Sequence, residues 1–424
     1  MSRNRPVVVL VDAYTSGKYL PPEFAALGAD LVHVQSTPEF MSSMPAPDLG
    51  VYRAALVHED LEKTLVRLEE YAPLCVLAGQ EPGVVLADRL AERLGLPTNG
   101  TTLSEARRDK YLMGEALRAA GLHCAEQLKS RDADALVRWA EEAGRYPVVV
   151  KPLNSAAGDG VFICTDAEAV RAAAEGILGT ETIYGDTNTE ALAQSYLQGT
   201  EYVVDMVSYG GRRYVCGVWE YEKRLLPSGR NIYDRERLLA ADEGPAPELT
   251  AYVEKALDAL GVRFGPTHAE VIVTPQGPAL VEVGTRIAGN MHPGFHDACA
   301  GGNQAALTAL AYLEPARFVE RYGGRRYDKV REAVCCTTST TRSGTVESID
   351  QDAVAELSAL ETVDRFDLKI EPGGTVRPTV DLYSSTLRIF MSATSMDRID
   401  RDRRRIEEIK DRIYRLRDTD AGGK

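Results

Sequence analysis

The chain has no excess of basic charge: 49 Lys and Arg stand against 63 Asp and Glu, for a formal net charge of −14. That argues against non-specific nucleic-acid binding, which needs a basic face. Cysteine is present but unpatterned. The seven (Cys75, Cys124, Cys164, Cys216, Cys299, Cys335 and Cys336) contain no CxxC pair and no metal-ligand spacing. This excludes a disulfide scaffold or a zinc ribbon and suggests free thiols in a reducing compartment. No apolar run reaches the roughly 18 residues of a membrane span. The run VVVLV near the start ends at Asp12 and reads as a buried first strand, not a signal peptide. A cytoplasmic protein without a membrane partner is expected. Also missing are the GxxxxGK[ST] phosphate loop, a GxGxxG that opens a helix, internal repeats and low-complexity tracts.

What is present is a globular composition, 44% hydrophobic and 26% charged. At 424 residues about three domains are expected. Up to about residue 100, strands at 6–11, 29–34 and 74–78 alternate with helices at 21–27, 61–71 and 84–94. That pattern implies a small doubly wound parallel sheet, with candidate site loops at 12–17 and 79–81. A helix over 109–120 carries the apolar stripe Leu112, Ala116, Leu117 and Ala120, with Lys110 near its start. Strands flank Gly199 and another covers 215–221. Helices cover 249–260 and 303–313. Residues 326–424 read as a last α+β unit that closes on one long charged helix over 397–417. The expected domains are 1–104, 105–325 (with a lid over about 120–192) and 326–424.

The most informative stretch is THAEVIVTPQGPALVEVGTRIAGN at 267–290. Two apolar strands flank the turn residues TPQGP, so a hairpin is expected. A turn centred on Gln276 places Glu270 opposite Glu282, with Cβ atoms about 5 Å apart. Two opposed carboxylates in strands this apolar need a cation between them. A divalent ion that also holds nucleotide phosphates satisfies both, since Mg²⁺ takes one or two protein carboxylates plus phosphate oxygens. Arg286 follows on the alternation of Glu282. A solvent-facing pair is the plainer alternative.

Lys151 ends the buried run VVV without a break, so it needs an exit to solvent or an anionic partner. The loop NSAAGDG follows at 154–160 and leads into another strand. Its backbone N–H groups can close over phosphates, or it is a plain turn. His292 and His296 stand four apart, but Pro293 and Gly294 between them argue against a regular helix and a zinc site.

In this order the pieces resemble the ATP-grasp superfamily, from about residue 6 to 313. They are Asp109-Lys110, VVVKP around Lys151, the Gly-rich hairpin, QSYL at 194–197, Glu201, and the HAEVIVT…LVEVGTR hairpin. The tail segments VCCTTSTTRSGTV and LKIEPGGTVRPTVDLYSSTLRIFMSATS, and the opening VDAYTSGKYLPPEF, are similar to the L-amino-acid ligase branch, which makes dipeptides and related amides. The resemblance implies an ATP-grasp fold behind an N-terminal doubly wound domain. It implies ATP and Mg²⁺ (or Mn²⁺) as cofactors, small carboxylate and amine substrates, and a homodimer. A carrier-protein acceptor stays open.

The implied roles are specific. Lys110 and Lys151 contact phosphates, and Gly158 and Gly160 let the loop approach them. The backbone of Gln194, Ser195, Tyr196 and Leu197 brackets adenine, and Glu201 holds the ribose. Glu270 and Glu282 hold the metal, Arg286 steadies the acyl group, and Lys223 reaches the γ-phosphate. Where many members carry Asn two residues after the second metal Glu, this chain has Gly284. A second cation then has one ligand fewer, or uses Asn290 or water.

The chemistry expected is amide formation through an acyl phosphate, with ADP and phosphate released. The base that deprotonates the amine is not named by any motif; His268, His292 and His296 are the candidates. Substrate contacts are expected from 12–17, 226–233 and 289–295. Two other functions compete. One is a biotin-carboxylase-like enzyme, disfavoured by IAGNMHPG after Arg286. The other is a non-catalytic nucleotide-binding module, disfavoured because no phosphate lysine or metal carboxylate is lost.

Overall fold

The computed structural model describes residues 5–142, 144–155, 158–225, 231–382 and 384–417. The first sheet is built from β1 (Val7–Val11), β2 (Asp30–Gln35), β3 (Ala54–Val57) and β4 (Cys75–Ala78), in the order β3-β2-β1-β4, and its pairings are parallel. β1 is five buried apolar residues, as a strand covered on both faces must be. β3 escapes the sequence pattern: it is short, and only Leu56 is buried in it.

Four antiparallel strands form a second sheet: β5 (Gln127–Ser130), β6 (Val148–Pro152), β7 (Phe162–Cys164) and β8 (Ala191–Ser195), in the order β5-β8-β6-β7. Helices Ala133–Glu142 and Ala167–Ile177 pack on it. The Gly-rich loop joins β6 to β7, as expected of a hairpin tip; Ala156 and Ala157 lie outside the described residues.

The large sheet holds the site. It comprises β9 (Thr200–Tyr209), β10 (Arg212–Leu225), β11 (Asn231–Leu238), β12 (Gly265–Thr274), β13 (Gly277–Gly284), β14 (Arg325–Arg326), β15 (Glu332–Thr337), β17 (Val363–Leu368) and β19 (Leu387–Ala393). Its main path runs β13-β12-β9-β10-β11-β15-β19-β17, so the sheet continues across residue 326. β16 (Gly344–Ile349), β18 (Thr375–Val376) and β20 (Tyr414–Arg417) make a small third antiparallel layer. β11 falls partly in a stretch expected to be a loop. Its row of charged residues hid it, yet it is paired on both sides, to β10 and β15.

Three further expectations are corrected. The last helix, Met396–Ile413, stops four residues early, and Leu416 lies on β20. Its buried stripe is Ile399, Ile406, Ile409 and Ile413, while Arg403 bonds Asp234 and Asp400 bonds Arg235 on β11. In helix Lys110–Ala119 the buried residues are Met113, Gly114 and Leu117; Leu112 is exposed. Pro293–Ala300 is a helix after all, with His292 as its N-cap and Pro293 in the first turn, where proline's missing N–H costs nothing. Among the described residues no helix is long and apolar enough to cross a membrane.

Candidate active site

The 267–290 hairpin forms, but not about Gln276. Thr274 pairs with Gly277, so the loop is the two residues Pro275 and Gln276, and Gly277 takes φ +104°. That register alone would set Glu270 against Val281. A β-bulge between Glu270 and Val271 absorbs one residue, and Glu270 pairs with Glu282. A one-residue slip moves a side chain to the other face, so the bulge is what brings the two carboxylates together.

Eleven of the thirteen expected site residues line one cavity of about 640 Å³: Lys110, Lys151, Gly158, Gln194, Ser195, Tyr196, Leu197, Glu201, Lys223, Glu270 and Glu282. Asp109 caps its helix by accepting from the N–H groups of Tyr111 and Leu112 at 2.8 and 2.9 Å. The cap fixes Lys110 at the first helical position. Lys110 Nζ lies 2.6 Å from Glu282 Oε2 and donates to Ser155 O at 2.9 Å. Lys151 is buried, and burial together with Lys110 pushes its ammonium down to about 8 against the pull of Glu282, Glu270 and Glu201. Lys223 Nζ lies 2.5 Å from Glu201 Oε2. Burial raises the Glu201 carboxyl despite that lysine, and Glu201 Oε1 is buried without a hydrogen-bond partner. The Gln194 amide donates to Gln127 Oε1 at 3.0 Å.

Two residues fall outside the cavity. Gly160 holds φ +67° with its Cα against Pro152, where a Cβ would lie 2.8 Å from the proline ring, so its freedom serves the turn. Arg286 lines an adjoining narrow cleft together with Glu81, Arg108, Tyr184 and Gly284. Lys110, Ser155 and Glu282 line both spaces and form their common wall. Arg286 Nε stands 3.4 Å from Glu81 Oε2.

The histidines are not equivalent. His268 Nδ1 lies 2.7 Å from Asp205, and Nε2 lies 3.7 Å from Glu270. Burial opposes its charge, but Asp205 and Glu270 overcome this and lift it to about 9. His268 is thus held between two carboxylates that favour its charged form. His292 caps a helix and touches Arg365, and burial lowers it. His296 is buried 5.3 Å from the Trp219 ring, and burial lowers it too.

Sequence reasoning missed Asp205, Glu236 and Val380. Val380 reaches the main cavity from the C-terminal segment and has no motif to mark it. Of the two candidate site loops of the first sheet, 79–81 delivers Glu81 to the cleft. In 12–17, Thr15 and Ser16 accept from the Gln80 amide, and the loop lines neither space. Residues 226–230 lie outside the described residues. Asn290 donates to Glu236.

Residues 144–293 match the ATP-grasp domain family. Dapdiamide A synthase of Enterobacter agglomerans is 34% identical over 389 residues, 90% of this chain and 90% of that protein. The chain belongs to the ATP-grasp family. This ATP-grasp protein is a carbon–nitrogen bond-forming ligase. The solved L-amino acid ligase from Bacillus licheniformis shares the ATP-grasp fold over 98% of this chain and 99% of that one, with a TM-score of 0.75 at 20% identity. The biotin carboxylase domain of Hydrogenobacter thermophilus 2-oxoglutarate carboxylase, a dimer in complex with MgADP, matches at a TM-score of 0.65 and 16% identity, over 97% of this chain and 90% of that one.

Proposed function

We propose that this ligase activates a small carboxylate, an amino acid or a similar acid, as an acyl phosphate and joins it to an amine, releasing ADP and phosphate. The observation that carries the reading is the shared wall. Lys110 and Glu282 border both the 640 Å³ cavity and the Arg286 cleft, so a γ-phosphate in the first lies beside a carboxylate in the second.

The residues fit a Mg²⁺–nucleotide. Glu270 and Glu282 are opposed, and Glu201 Oε1 is a buried acceptor that lacks a donor, as a ribose hydroxyl would supply. Among the described residues no three His, Cys, Asp or Glu side chains make a metal site by themselves. Phosphate oxygens would therefore complete the coordination at Glu270 and Glu282. Mg²⁺ would neutralise phosphate charge there, and Mn²⁺ would serve in its place.

Lys110 would exchange Glu282 for phosphate, and Lys151 would offset the remaining charge. Arg286 can take a carboxylate in its fork and later hold the oxyanion at the same carbon. The loop with Gly158 would close over the phosphates and keep water from the acyl phosphate. A homodimer, as named for the Hydrogenobacter domain, is the proposed assembly.

The test is to incubate the protein with ATP, Mg²⁺ and a pool of amino acids, following phosphate release and product masses. ADP formed only with amino acids present, together with a new amide, is expected. Turnover that needs bicarbonate and biotin instead would sink the proposal.

A further inference from the structure

The ligase reading leaves the proton of the attacking amine without a destination, and the role assigned to Glu236 depends on that reading. Glu236 lies on β11 opposite Tyr221 of β10, which is opposite Glu201 of β9. Directly paired residues share a face. Glu236 is thus on the face that carries Glu201, Asp205, His268 and Glu270, one strand beyond a residue that lines the nucleotide cavity. The chain leaving Arg286 crosses this face to reach helix Pro293–Ala300, where Phe295 packs on Trp219 and Phe390. On the way Asn290 donates its amide to Glu236 Oε2. Four residues therefore link the arginine of the acyl cleft to a buried acid.

One further observation points to a missing donor. Asn290 Oδ1, beside that acid, is buried and has no hydrogen-bond partner. No motif or role found for the nucleotide or the metal uses Glu236. The histidines are otherwise engaged: His268 is held between Asp205 and Glu270, His292 caps a helix and touches Arg365, and His296 is packed against Trp219 and Phe295.

We propose that Glu236 is the general base for the amine, with Asn290 Oδ1 accepting a second N–H of the incoming ammonium. The ammonium gives one proton to the Glu236 carboxylate. The freed lone pair forms the C–N bond at the acyl carbon, and the C–O bond to phosphate breaks with its electron pair. The second proton leaves with the phosphate, and Glu236 returns the first to solvent.

The surroundings suit the task. Burial pushes the Glu236 carboxyl up to about 7; Arg388 and His268 pull it down, and Asp205 and Glu270 push it further up. Cys335 is paired to it on β15, and Arg235 and Arg237 flank it along the strand. A base poised near the working pH transfers protons most effectively.

Hydroxylamine separates a base from a structural acid, because it is mostly unprotonated at neutral pH and needs no base to attack. The unaltered enzyme, with ATP, Mg²⁺ and the amino-acid pool, should give amide, and hydroxamate when hydroxylamine is added. Glu236→Gln should lower amide formation about a hundredfold or more while hydroxamate formation stays within about threefold. The acidic limb of the amide pH profile near 7 should vanish with it. Equal loss of both products, or an unchanged amide rate, would overturn the assignment. Absence of both products from the unaltered enzyme would overturn the ligase reading instead.

Discussion

Gly284 ends β13 and Glu81 lies in the helical turn after β4, and the two meet so closely that a Cβ on Gly284 would stand 2.9 Å from Glu81 Oε2. The same Cβ would lie 3.1 Å from Arg286 Cζ. A glycine there lets the carboxylate and the guanidinium approach each other at 3.4 Å. The asparagine of the wider family pattern would push them apart. Gly284→Ala should reduce kcat/KM for the carboxylate about tenfold, roughly 1.4 kcal/mol of transition-state stabilisation, and leave the KM for ATP near its starting value. Initial rates with each substrate varied check this; full activity would show that the close approach is dispensable.

The opposed carboxylates carry the metal proposal. Glu282→Gln removes one charge from the pair and the partner of Lys110. Turnover should fall by roughly a hundredfold or more, with a melting temperature within a few degrees. Near-normal turnover would contradict the assignment of Glu282 to the cation.

Lys151 gives a pH signature. In the free protein its ammonium sits at about 8, and bound phosphates would raise it. ATP affinity should therefore decline as pH rises above about 8, by at most about tenfold per pH unit for one proton. Lys151→Arg, charged throughout, should flatten the decline. Nucleotide titrations between neutral and alkaline pH measure it.

Glu236 has the opposite linkage to an ordinary surface acid. Its carboxyl is raised from 4.5 to about 7 on folding, so between those values the folded chain holds a proton that the unfolded chain has lost. The stabilisation is complete below 4.5 and is lost as pH rises through 7. It amounts to about 3 kcal/mol for a shift of that size. Denaturant midpoints of the ligand-free protein should show this slope, and Glu236→Gln should remove it. A slope that persists in the variant would assign the proton to another group.

Much of the site was legible because charged residues in apolar strands are costly and so conspicuous. Glu270, Glu282 and Lys151 stood out on that ground, and Lys110 gained weight only from its neighbours in the family pattern. The pairing of Glu270 with Glu282 was anticipated for an incomplete reason: the turn lies half a residue from its expected centre, and the bulge restores the match. Bulges are set by local backbone geometry that leaves little trace in residue type. Asp205 and Glu236 are distant in sequence from the hairpin, and their surroundings exist only once the sheets assemble. Strands β3 and β11 hid for the matching reason, since neither shows a clean alternation of apolar and polar residues.

The unbroken path from β13 to β17 bears on how the chain can be divided. Arg235, Glu236 and Arg237 pair with Cys336, Cys335 and Val334. A chain ending before β15 would leave that side of β11 as an open edge with unmet N–H and C=O groups, the kind of edge that recruits other chains. It would also leave Arg235 without Asp400. The catalytic half cannot be produced as a shorter protein by trimming at residue 326: the cut runs through a ladder, and what remains would be prone to self-association.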